Sequence, residues 1–425
     1  MRRLPILLRP DPTRVILRAF LPTAEPSDMH RSDPSRIERI TNRVLALDEV
    51  WVEAELANVM YEFGGRHTDL HTVLAERFEQ ACKLMPAAPA VPDEARRLLI
   101  GAYFSHEYSF EAAALFNPSM VPHPDQHGLA AGEARFVLSL RATGEGHISS
   151  ICFRSGVVDA AGEVALDPPG ALATIPALGG LEHVEEGFEA AFSPHTPLAD
   201  RVLFPVTARQ RNGLEDARFV RFVENDGTVA YYATYTAYSG QEVAPELLRT
   251  KDFLRFVFLP TQGDAVRNKG MALFPRRVGG QYVMLTRLDG ENLQLSRSDD
   301  LRTWNTATPI LGPSEPWEFL QIGNCGSPIE LPEGWLVLTH GVGSMRRYCI
   351  GAVLLDLHDP TRVLARLRTP LLSANDQERE GYVPNVVYSC GGMAHEGNLI
   401  LPYAMSDTAT TFAVVALRSL LAAMS

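Results

Sequence analysis

The sequence predicts an all-β fold, a five-bladed β-propeller, with a mainly α-helical N-terminal extension. Three observations support this prediction. Apolar residues recur at helical spacing up to about Tyr108, alternation of apolar and polar residues follows, and hairpin turns return at a nearly constant interval. We therefore expect a helical extension over residues 1–108 and a propeller domain over residues 109–425.

Three stretches of the first quarter are predicted to be helices. Residues 35–65 carry apolar side chains at helical spacing and end in a glycine pair, a natural C-terminal stop. Residues 69–85 and 92–108 repeat the pattern, the second with a proline and acidic residues where a helix begins. Residues 5–22 hold two β-rich runs split by a Pro-Asp-Pro turn, which suggests a hairpin.

The rest of the chain is predicted to form strands joined by hairpins. Asp226-Gly227 is a strong hairpin signal between two alternating runs. Three further turns share its place between two strands: Gly279-Gly280, Glu333-Gly334 and Glu396-Gly397. They follow one another at roughly 53, 54 and 63 residues, the range of propeller blades. With the unit that contains RFVLSLRA the repeats number five, a recurrence that the alternative of a β-sandwich would not explain.

Composition excludes several classes of function. The 39 basic and 51 acidic residues give a net charge of −12 without any basic run, so we expect no nucleic-acid partner. The five cysteines are scattered without CxxC spacing, which favours thiols in a reducing compartment over disulfides or a metal site. The first apolar run is broken at Arg9, and no window approaches the roughly 18 apolar residues of a membrane span. We expect a cytoplasmic protein with no membrane partner, metal or cofactor.

Six segments between Phe116 and Thr411 carry a family resemblance: FNPSMVPHPDQ, SLRATGEGHISSICFR, NGLEDARFV, ALFPRRVGGQYVMLTRLDG, IGNCGSPIELPEGWLVLTHGV and EGYVPNVVYSCGG. Together and in this order they resemble glycoside hydrolase family 130, the inverting β-mannoside phosphorylases and their hydrolytic relatives. The family fold is a five-bladed β-propeller, which agrees with the independent count of repeats. Three features are most similar to the branch that contains β-1,2-oligomannan phosphorylases: the helical N-terminus and the segments GHISSI and HPDQ.

The resemblance implies phosphorolysis of β-mannosides, β-1,2-linked manno-oligosaccharides above all, to α-mannose 1-phosphate and a shortened acceptor. Inorganic phosphate is then the co-substrate. Asp216 of GLEDAR matches the family's catalytic acid, which protonates the glycosidic oxygen through the mannose 3-hydroxyl. Such an acid needs a raised pKa, and Glu215 would raise it if both carboxylates point inward. In a regular strand they point oppositely, and Glu215 would instead anchor the loop or Arg218.

The phosphate site implied by the family contains an arginine, a lysine and a histidine. Arg287 of MLTRLDG and His340 of LVLTHGV match this pattern. Gln321 stands where the lysine is expected, and it offers a hydrogen bond but no charge. Three cations are candidates for the missing charge, unless they are solvated loop residues: Lys269, Arg346 and Arg347.

Mannose recognition is assigned to groups near Asp216. By match to the family, Arg141 of SLRATG and Asp407 of AMSDTAT bind the hydroxyls of the non-reducing mannose. Further candidates lie on neighbouring motif segments, Asn117 and Ser149 for this mannose and Tyr382 and Asn385 for the acceptor side. The alternative for each is an ordinary hydrogen bond at a strand end.

Three functions stay open at this point. The protein is a phosphorylase, a β-mannosidase that activates water with a second carboxylate, or a glycan-binding propeller without catalysis. Retention of Arg287 and His340 favours the phosphorylase, and the intact Asp216 argues against loss of catalysis. The helical extension also offers a surface through which a homo-oligomer could form.

Overall fold

The computed structural model describes residues 1–22, 35–85 and 92–425. The chain divides into two units. The helical unit comprises Thr13–Ser109 and Ala171–Thr174, and the β unit comprises Met1–Pro12, Phe110–Gly170 and Ile175–Ser425.

The helices lie mainly in the helical unit: α1 Arg36–Leu45, α2 Glu49–Phe63, α3 Leu70–Lys83 and α4 Glu94–Tyr103, with α5 Leu417–Ala422 in the β unit. A capping box starts α1, because the Ser35 hydroxyl accepts from the Glu38 backbone N–H while the Glu38 carboxylate accepts from the Ser35 N–H. The run predicted as one helix is two helices, since Asp48 adopts an extended backbone conformation at the N-cap of α2.

The strands of the first half, in chain order, are β1 Arg2–Arg3, β2 Val15–Ala19, β3 Ser105–Ser109, β4 Ala114–Pro122, β5 Ala134–Thr143, β6 Ser149–Val158, β7 Val164–Leu166, β8 Ala177–Gly179, β9 Phe188–Ala191, β10 Val202–Leu203 and β11 Gly213–Val223. Those of the second half are β12 Val229–Tyr238, β13 Val243–Thr250, β14 Arg255–Pro260, β15 Ala272–Leu273, β16 Tyr282–Thr286, β17 Leu293–Ser298, β18 Thr308–Leu311, β19 Gln321–Asn324, β20 Ile329–Leu331, β21 Gly334–Val342, β22 Tyr348–Leu355, β23 Val363–Arg366, β24 Leu372–Ser373, β25 Val387–Tyr388, β26 Met393–His395, β27 Asn398–Met405 and β28 Ala409–Ala416. The protein is therefore mostly β with few helices.

The strands of the β unit form four sheets among the described residues. The orders are β15-β16-β17-β18; β19-β21-β22-β23 with β20 on β21 and β24 on β22; β1-β28-β27-β25 with β26 on β27; and β4-β5-β6-β11-β12-β13-β14-β9-β8 with β7 and β10 on β6. The last, eleven-stranded sheet consists of antiparallel pairs except where β11 meets β6 in parallel, opposite Gly213 and Ser149.

The recurrent glycine turns lie where the sequence predicts them. Gly227 closes the β11–β12 hairpin, and its N–H donates to the Glu224 carbonyl at 2.9 Å. The other three turns join β15 to β16, β20 to β21 and β26 to β27. Gly227, Gly280 and Gly397 have φ values of 83°, 84° and 74°, which glycine adopts without steric cost.

Two predictions for the N-terminal region are wrong. Residues 5–22 do not form a hairpin, because β2 pairs with β3 while Leu8 bridges to Thr410. The last predicted helix ends at Tyr103, and Tyr108 lies in β3 opposite Ile16. Both errors have one cause: pairing between strands distant in sequence overrides the local apolar spacing.

The core of the β unit lies between neighbouring sheets. Phe222 of β11 packs in one cluster with Met284 of β16, and Val283 of β16 packs in another with Val337 of β21. Trp304 and Trp335 are 0% exposed. The sheets are thereby held side by side, and the pocket described next lies among their strand ends.

Candidate active site

A pocket of about 200 Å³ in the β unit contains most of the predicted site residues. It is lined by Asn117, Arg141, Asp216, Lys269, Arg287, Gln321, His340, Arg346, Tyr348, Val383, Val386, Tyr388 and Asp407. Segments distant in sequence thus bring together the predicted acid, the predicted mannose ligands and the predicted phosphate ligands.

Asp216 lies in a β-bulge of β11. The register with β12 shifts between Glu215 and Arg218, and Asp216 has φ 52°, a left-handed conformation that aspartate tolerates better than most residues. The bulge cancels the alternation of a regular strand. Glu215 and Asp216 therefore both contact Arg141, contrary to the expectation for a regular strand.

Glu215 holds two cations of the site. Its Oε1 accepts from Arg141 Nη2 at 2.6 Å and its Oε2 accepts from Lys269 Nζ at 2.5 Å. Arg141 also donates from Nη1 to Asp216 Oδ1 at 3.2 Å and from Nε to Ser149 Oγ at 2.9 Å. Glu215 thus anchors Arg141 and Lys269, and not Arg218 as the sequence suggested.

A second bulge places Asn117 beside the acid. The register of β4 with β5 shifts between Phe116 and Ser119, and Asn117 has φ 48°. Its Nδ2 donates to Asp216 Oδ1 at 2.7 Å. Two bulged strands thus position the same carboxylate.

Asp407 comes from the tight turn between β27 and β28, where it has φ 50°. The preceding Ser406 fixes this turn: its hydroxyl donates to the Glu378 carbonyl at 2.7 Å, and its carbonyl accepts from the Val383 N–H at 3.0 Å. Its own N–H donates to the Val386 carbonyl at 2.8 Å. Asp407 and the two pocket-lining valines therefore form one braced wall.

Arg218 lies behind Asp216 and is 1% exposed. It donates to the Asp216 carbonyl at 2.9 Å, to the Tyr388 hydroxyl at 2.9 Å and to the Cys325 carbonyl at 2.8 Å. Its Nη2 is 3.8 Å from Asp216 Oδ2. A buried positive charge is thus fixed next to the predicted acid.

The electrostatics of Asp216 differ from the sequence prediction. Burial alone would raise its pKa, but the charges of Arg141, Arg218 and Lys269 and the hydrogen bond from Asn117 lower the pKa to about 2. The prediction of a raised pKa is wrong for this arrangement. That prediction rested on the negative charge of the adjacent Glu215 and left out the positive charges of the cations around the bulge.

Asp407 has the opposite shift. Burial, and then the negative charge of Asp216, raise its pKa to about 6, while Arg141 and Arg346 partly oppose the change. Of these two carboxyl groups, Asp407 is therefore the one that exchanges its proton near neutral pH.

Arg287 and His340, which both line the pocket, contact each other. Arg287 Nη1 donates to His340 Nε2 at 2.8 Å, and His340 Nδ1 lies 3.2 Å from the Asn324 carbonyl, which can only accept. His340 therefore carries its proton on Nδ1. Burial and the charges of Arg287 and Arg218 hold its pKa well below the usual value, so the ring is neutral.

Gln321 orients Arg287. With the amide oxygen turned toward Arg287, it accepts from Nη1 at 2.7 Å, and its nitrogen donates to the Gly290 carbonyl at 3.3 Å. Its NH₂ group is thus engaged away from Arg287. Gln321 fixes the guanidinium and brings no charge of its own.

Three predicted residues are not part of the pocket lining. Ser149 is buried and supports Arg141 from behind. Tyr382 is 67% exposed, with its ring 5.4 Å from that of His147, and Asn385 Oδ1 accepts from Arg379 Nε at 2.8 Å. The neighbouring Val383 and Val386 line the pocket instead, because the braced turn directs that part of the loop inward.

Two lining tyrosines were not predicted. Tyr348 stacks on His340 with centroids 6.0 Å apart, and Tyr388 lies at 5.0 Å from the same ring. Tyr388 belongs to a segment already quoted for the family resemblance, and Tyr348 follows shortly after another. The closeness of both tyrosines in sequence to those motifs is the signal from which they could have been predicted.

No group of three or more His, Cys, Asp or Glu side chains in residues 1–22, 35–85 and 92–425 is placed to hold a metal ion. Within the same ranges, no helix combines the length and the apolar character needed to cross a bilayer. The five cysteines are free thiols.

Residues 180–425 match the sequence profile of glycoside hydrolase family 130, described as beta-1,4-mannooligosaccharide phosphorylase. The chain belongs to glycoside hydrolase family 130. The matched range includes Asp216, Arg287, His340 and Asp407, whereas Asn117 and Arg141 precede it.

Several relatives within family 130 are similar to this chain. A 1,2-beta-oligomannan phosphorylase of Thermoanaerobacter sp. (strain X514) is 34% identical over 218 residues, 50% of this chain and 72% of the relative. A beta-1,2-mannobiose phosphorylase of Listeria innocua serovar 6a is 35% identical over 216 residues, 48% of this chain and 58% of the relative. The solved beta-1,2-mannobiose complex of the beta-1,2-mannobiose phosphorylase from Listeria innocua aligns with a TM-score of 0.52 at 26% identity, covering 73% of this chain and 92% of that one.

Proposed function

We propose that this member of family 130 catalyses the inverting phosphorolysis of β-mannosides, in particular β-1,2-linked manno-oligosaccharides. The products are α-mannose 1-phosphate and an acceptor shortened by one mannose. Two similar relatives, which act on β-1,2-mannobiose or 1,2-β-oligomannan by name, support this substrate class.

One observation carries the proposal: a buried carboxylate and an excess of positive charge share a single pocket. Four cationic side chains line it, against two carboxylates, although the whole chain has a net charge of −12. An anion such as phosphate is favoured there, because arginine donates paired hydrogen bonds to its oxygens. The lining cations are Arg141, Lys269, Arg287 and Arg346.

The reaction assigns a role to each side of the pocket. A phosphate oxygen held near Arg287 attacks the anomeric carbon of the terminal mannose while the glycosidic C–O bond breaks. The proton on Asp216 passes through the mannose 3-hydroxyl to the departing oxygen, and configuration at the anomeric carbon inverts. Arg141, Asn117 and Asp407 bind the mannose that stands between the acid and the phosphate.

The low pKa of Asp216 is compatible with an acid once phosphate binds. A bound phosphate dianion would bring negative charge into the pocket that Asp216 lines, and the sugar would exclude water from the carboxylate. Both effects favour the protonated carboxyl. Phosphate binding therefore raises the pKa of Asp216 and prepares it to donate.

We also propose how the β unit is organised. Its eleven-stranded sheet counts as two blades, divided at the parallel contact of β6 with β11, so that the four sheets make five blades. β1 then completes the last blade by pairing with β28. The catalytic propeller would occupy residues 109–425 and the helical extension residues 1–108.

Less specific features support our proposals for the compartment and the oligomeric state of the enzyme. Five free thiols are compatible with a reducing, cytoplasmic compartment. Helix α2 exposes the large apolar side chains of Val50, Trp51 and Tyr61, which would support a homo-oligomer formed through the helical unit.

An inverting β-mannosidase is the second candidate, because Asp407 is a further carboxylate in the same pocket lining. In that reaction Asp407 would activate water while Asp216 protonates the leaving oxygen, and the two carboxyl groups would stand roughly 6.5–9.5 Å apart. The excess of cations on the wall favours phosphate over this alternative.

The test is to incubate the enzyme with β-1,2-mannobiose with and without phosphate and to follow the products by NMR. We expect α-mannose 1-phosphate, and only when phosphate is present. Release of free mannose at the same rate without phosphate would identify the hydrolase. Binding of mannobiose without turnover in either condition would identify a glycan-binding protein.

A further inference from the structure

Arg346 differs from the other cations of the pocket in having no partner. Arg141 and Lys269 are paired with Glu215, and Arg287 is held by His340. Among the residues that the structure describes, none forms a hydrogen bond or ion pair with the Arg346 guanidinium, although it lines the same pocket. Its charge is therefore available to a ligand.

The backbone at Arg346 is unusual for its sequence. Residues 343–347 connect β21 to β22, and Met345 and Arg346 have φ values of 57° and 53°. Such consecutive left-handed positions in hairpin turns normally hold glycine, asparagine or aspartate. Strained backbone positions of this kind cluster at functional sites, and of these two residues Arg346 is the one that lines the pocket.

The pocket also lacks a charge that the family pattern predicts. Gln321 occupies the position of the expected lysine, and its amide oxygen accepts from Arg287. Lys269 cannot serve as a free replacement, because Glu215 neutralises it at 2.5 Å. Arg346 is the lining cation that remains.

We propose that Arg346 binds the phosphate co-substrate directly and supplies the positive charge that Gln321 does not. This inference rests on the proposed phosphorolysis. The Arg346 guanidinium donates to phosphate oxygens together with Arg287, which His340 and Gln321 orient. Arg346 lines the same pocket as Arg287 and Asp407.

The first experiment compares two substitutions in one turn. Arg346→Gln removes the lining charge, and Arg347→Gln is the matched control, since Arg347 is exposed in the same turn but does not line the pocket. We expect the KM for phosphate to rise by about tenfold or more in the first variant, the loss typical of a hydrogen bond to a charged group. The KM for mannobiose should stay nearly unchanged, and the control should behave as the parent.

The second experiment restores the positive charge at position 321. Gln321→Lys combined with Arg346→Gln should recover much of the phosphate affinity that the single variant loses. Arg346→Gly should raise the phosphate KM equally while its melting temperature stays equal or increases, because glycine suits the left-handed turn. A purely structural role would instead lower the melting temperature together with the activity.

The outcomes separate this inference from the proposed function. A parent enzyme that releases mannose without phosphate refutes phosphorolysis itself. A phosphate-dependent parent whose phosphate KM is the same in Arg346→Gln, or shifts equally in Arg347→Gln, refutes only the role of Arg346. A rise in the phosphate KM that occurs only in the Arg346 variants and is reversed by Gln321→Lys confirms the role of Arg346.

Discussion

Replacement of Asp407 by asparagine should stabilise the folded protein at neutral pH. Burial and the charge of Asp216 raise the pKa of Asp407 from 3.8 to about 6. At low pH the Asp407 carboxyl is protonated in both the folded and the unfolded state, so it does not lower the stability of the fold. As the pH rises, the unfolded state ionises first, so stability falls and the loss is complete above the folded-state pKa. A difference of about two pKa units corresponds to about 3 kcal/mol at neutral pH and, by the same relation, about 1 kcal/mol near pH 4.5.

Calorimetric melting of the parent and of Asp407→Asn at about pH 4.5 and about pH 7.5 measures this effect. Asparagine cannot ionise, so the variant does not lose stability as the pH rises. The advantage of the variant should be small at the lower pH and reach several degrees at the higher one. Asp264→Asn is a suitable control, since the Asp264 side chain is 87% exposed.

Activity should change in the opposite direction. Asp407 is proposed to bind the mannose, so the stabilised variant should lose much of its kcat/KM, a common exchange of function for stability. An equal difference in melting temperature at both pH values, or a less stable variant at neutral pH, would refute the reasoning that ionised Asp407 destabilises the fold.

Three further predictions concern the reacting groups. Asp216→Asn should fold like the parent but form sugar phosphate about 100- to 10,000-fold more slowly, and near-parental initial rates would remove it as the acid. Arg287→Ala should raise the phosphate KM by about tenfold or more while mannobiose binding by calorimetry stays nearly intact; a parallel loss of sugar binding would contradict its assignment. Glu215→Gln should lower the pKa of Asp216 further, because it removes a negative charge. The alkaline limb of the pH–rate profile should then move to lower pH, and a shift upward would be inconsistent with Asp216 as the acid.

Sequence patterns predicted the β-hairpins well because the information is local. Gly280 and Gly397 supply the left-handed conformation that their two-residue connections require. The end of α4 could not be predicted in the same way. Tyr108 continues the apolar spacing of the helix, but its backbone pairs with Ile16, and that partner lies far away in the chain.

The sequence predicted which residues form the site better than it predicted the charges that act on them. The family resemblance assigned Arg141, Asp216 and Asp407 to one site, and the structure brings them together in one pocket. The direction of the Asp216 shift was wrong because it depends on charges from several segments. Arg218 and Lys269 reach the carboxylate only through the bulge at Asp216, which no local pattern indicates.

The left-handed residues of the pocket show why its geometry is tolerated. Asn117, Asp216 and Asp407 all have φ near 50°, and asparagine and aspartate accept this conformation more easily than other non-glycine residues. The side chains that carry the polar groups thus also permit the bulges and the turn that aim them. Arg346 has the same conformation without this advantage. In the proposed reaction, contact between the Arg346 guanidinium and phosphate gives this strained position a function.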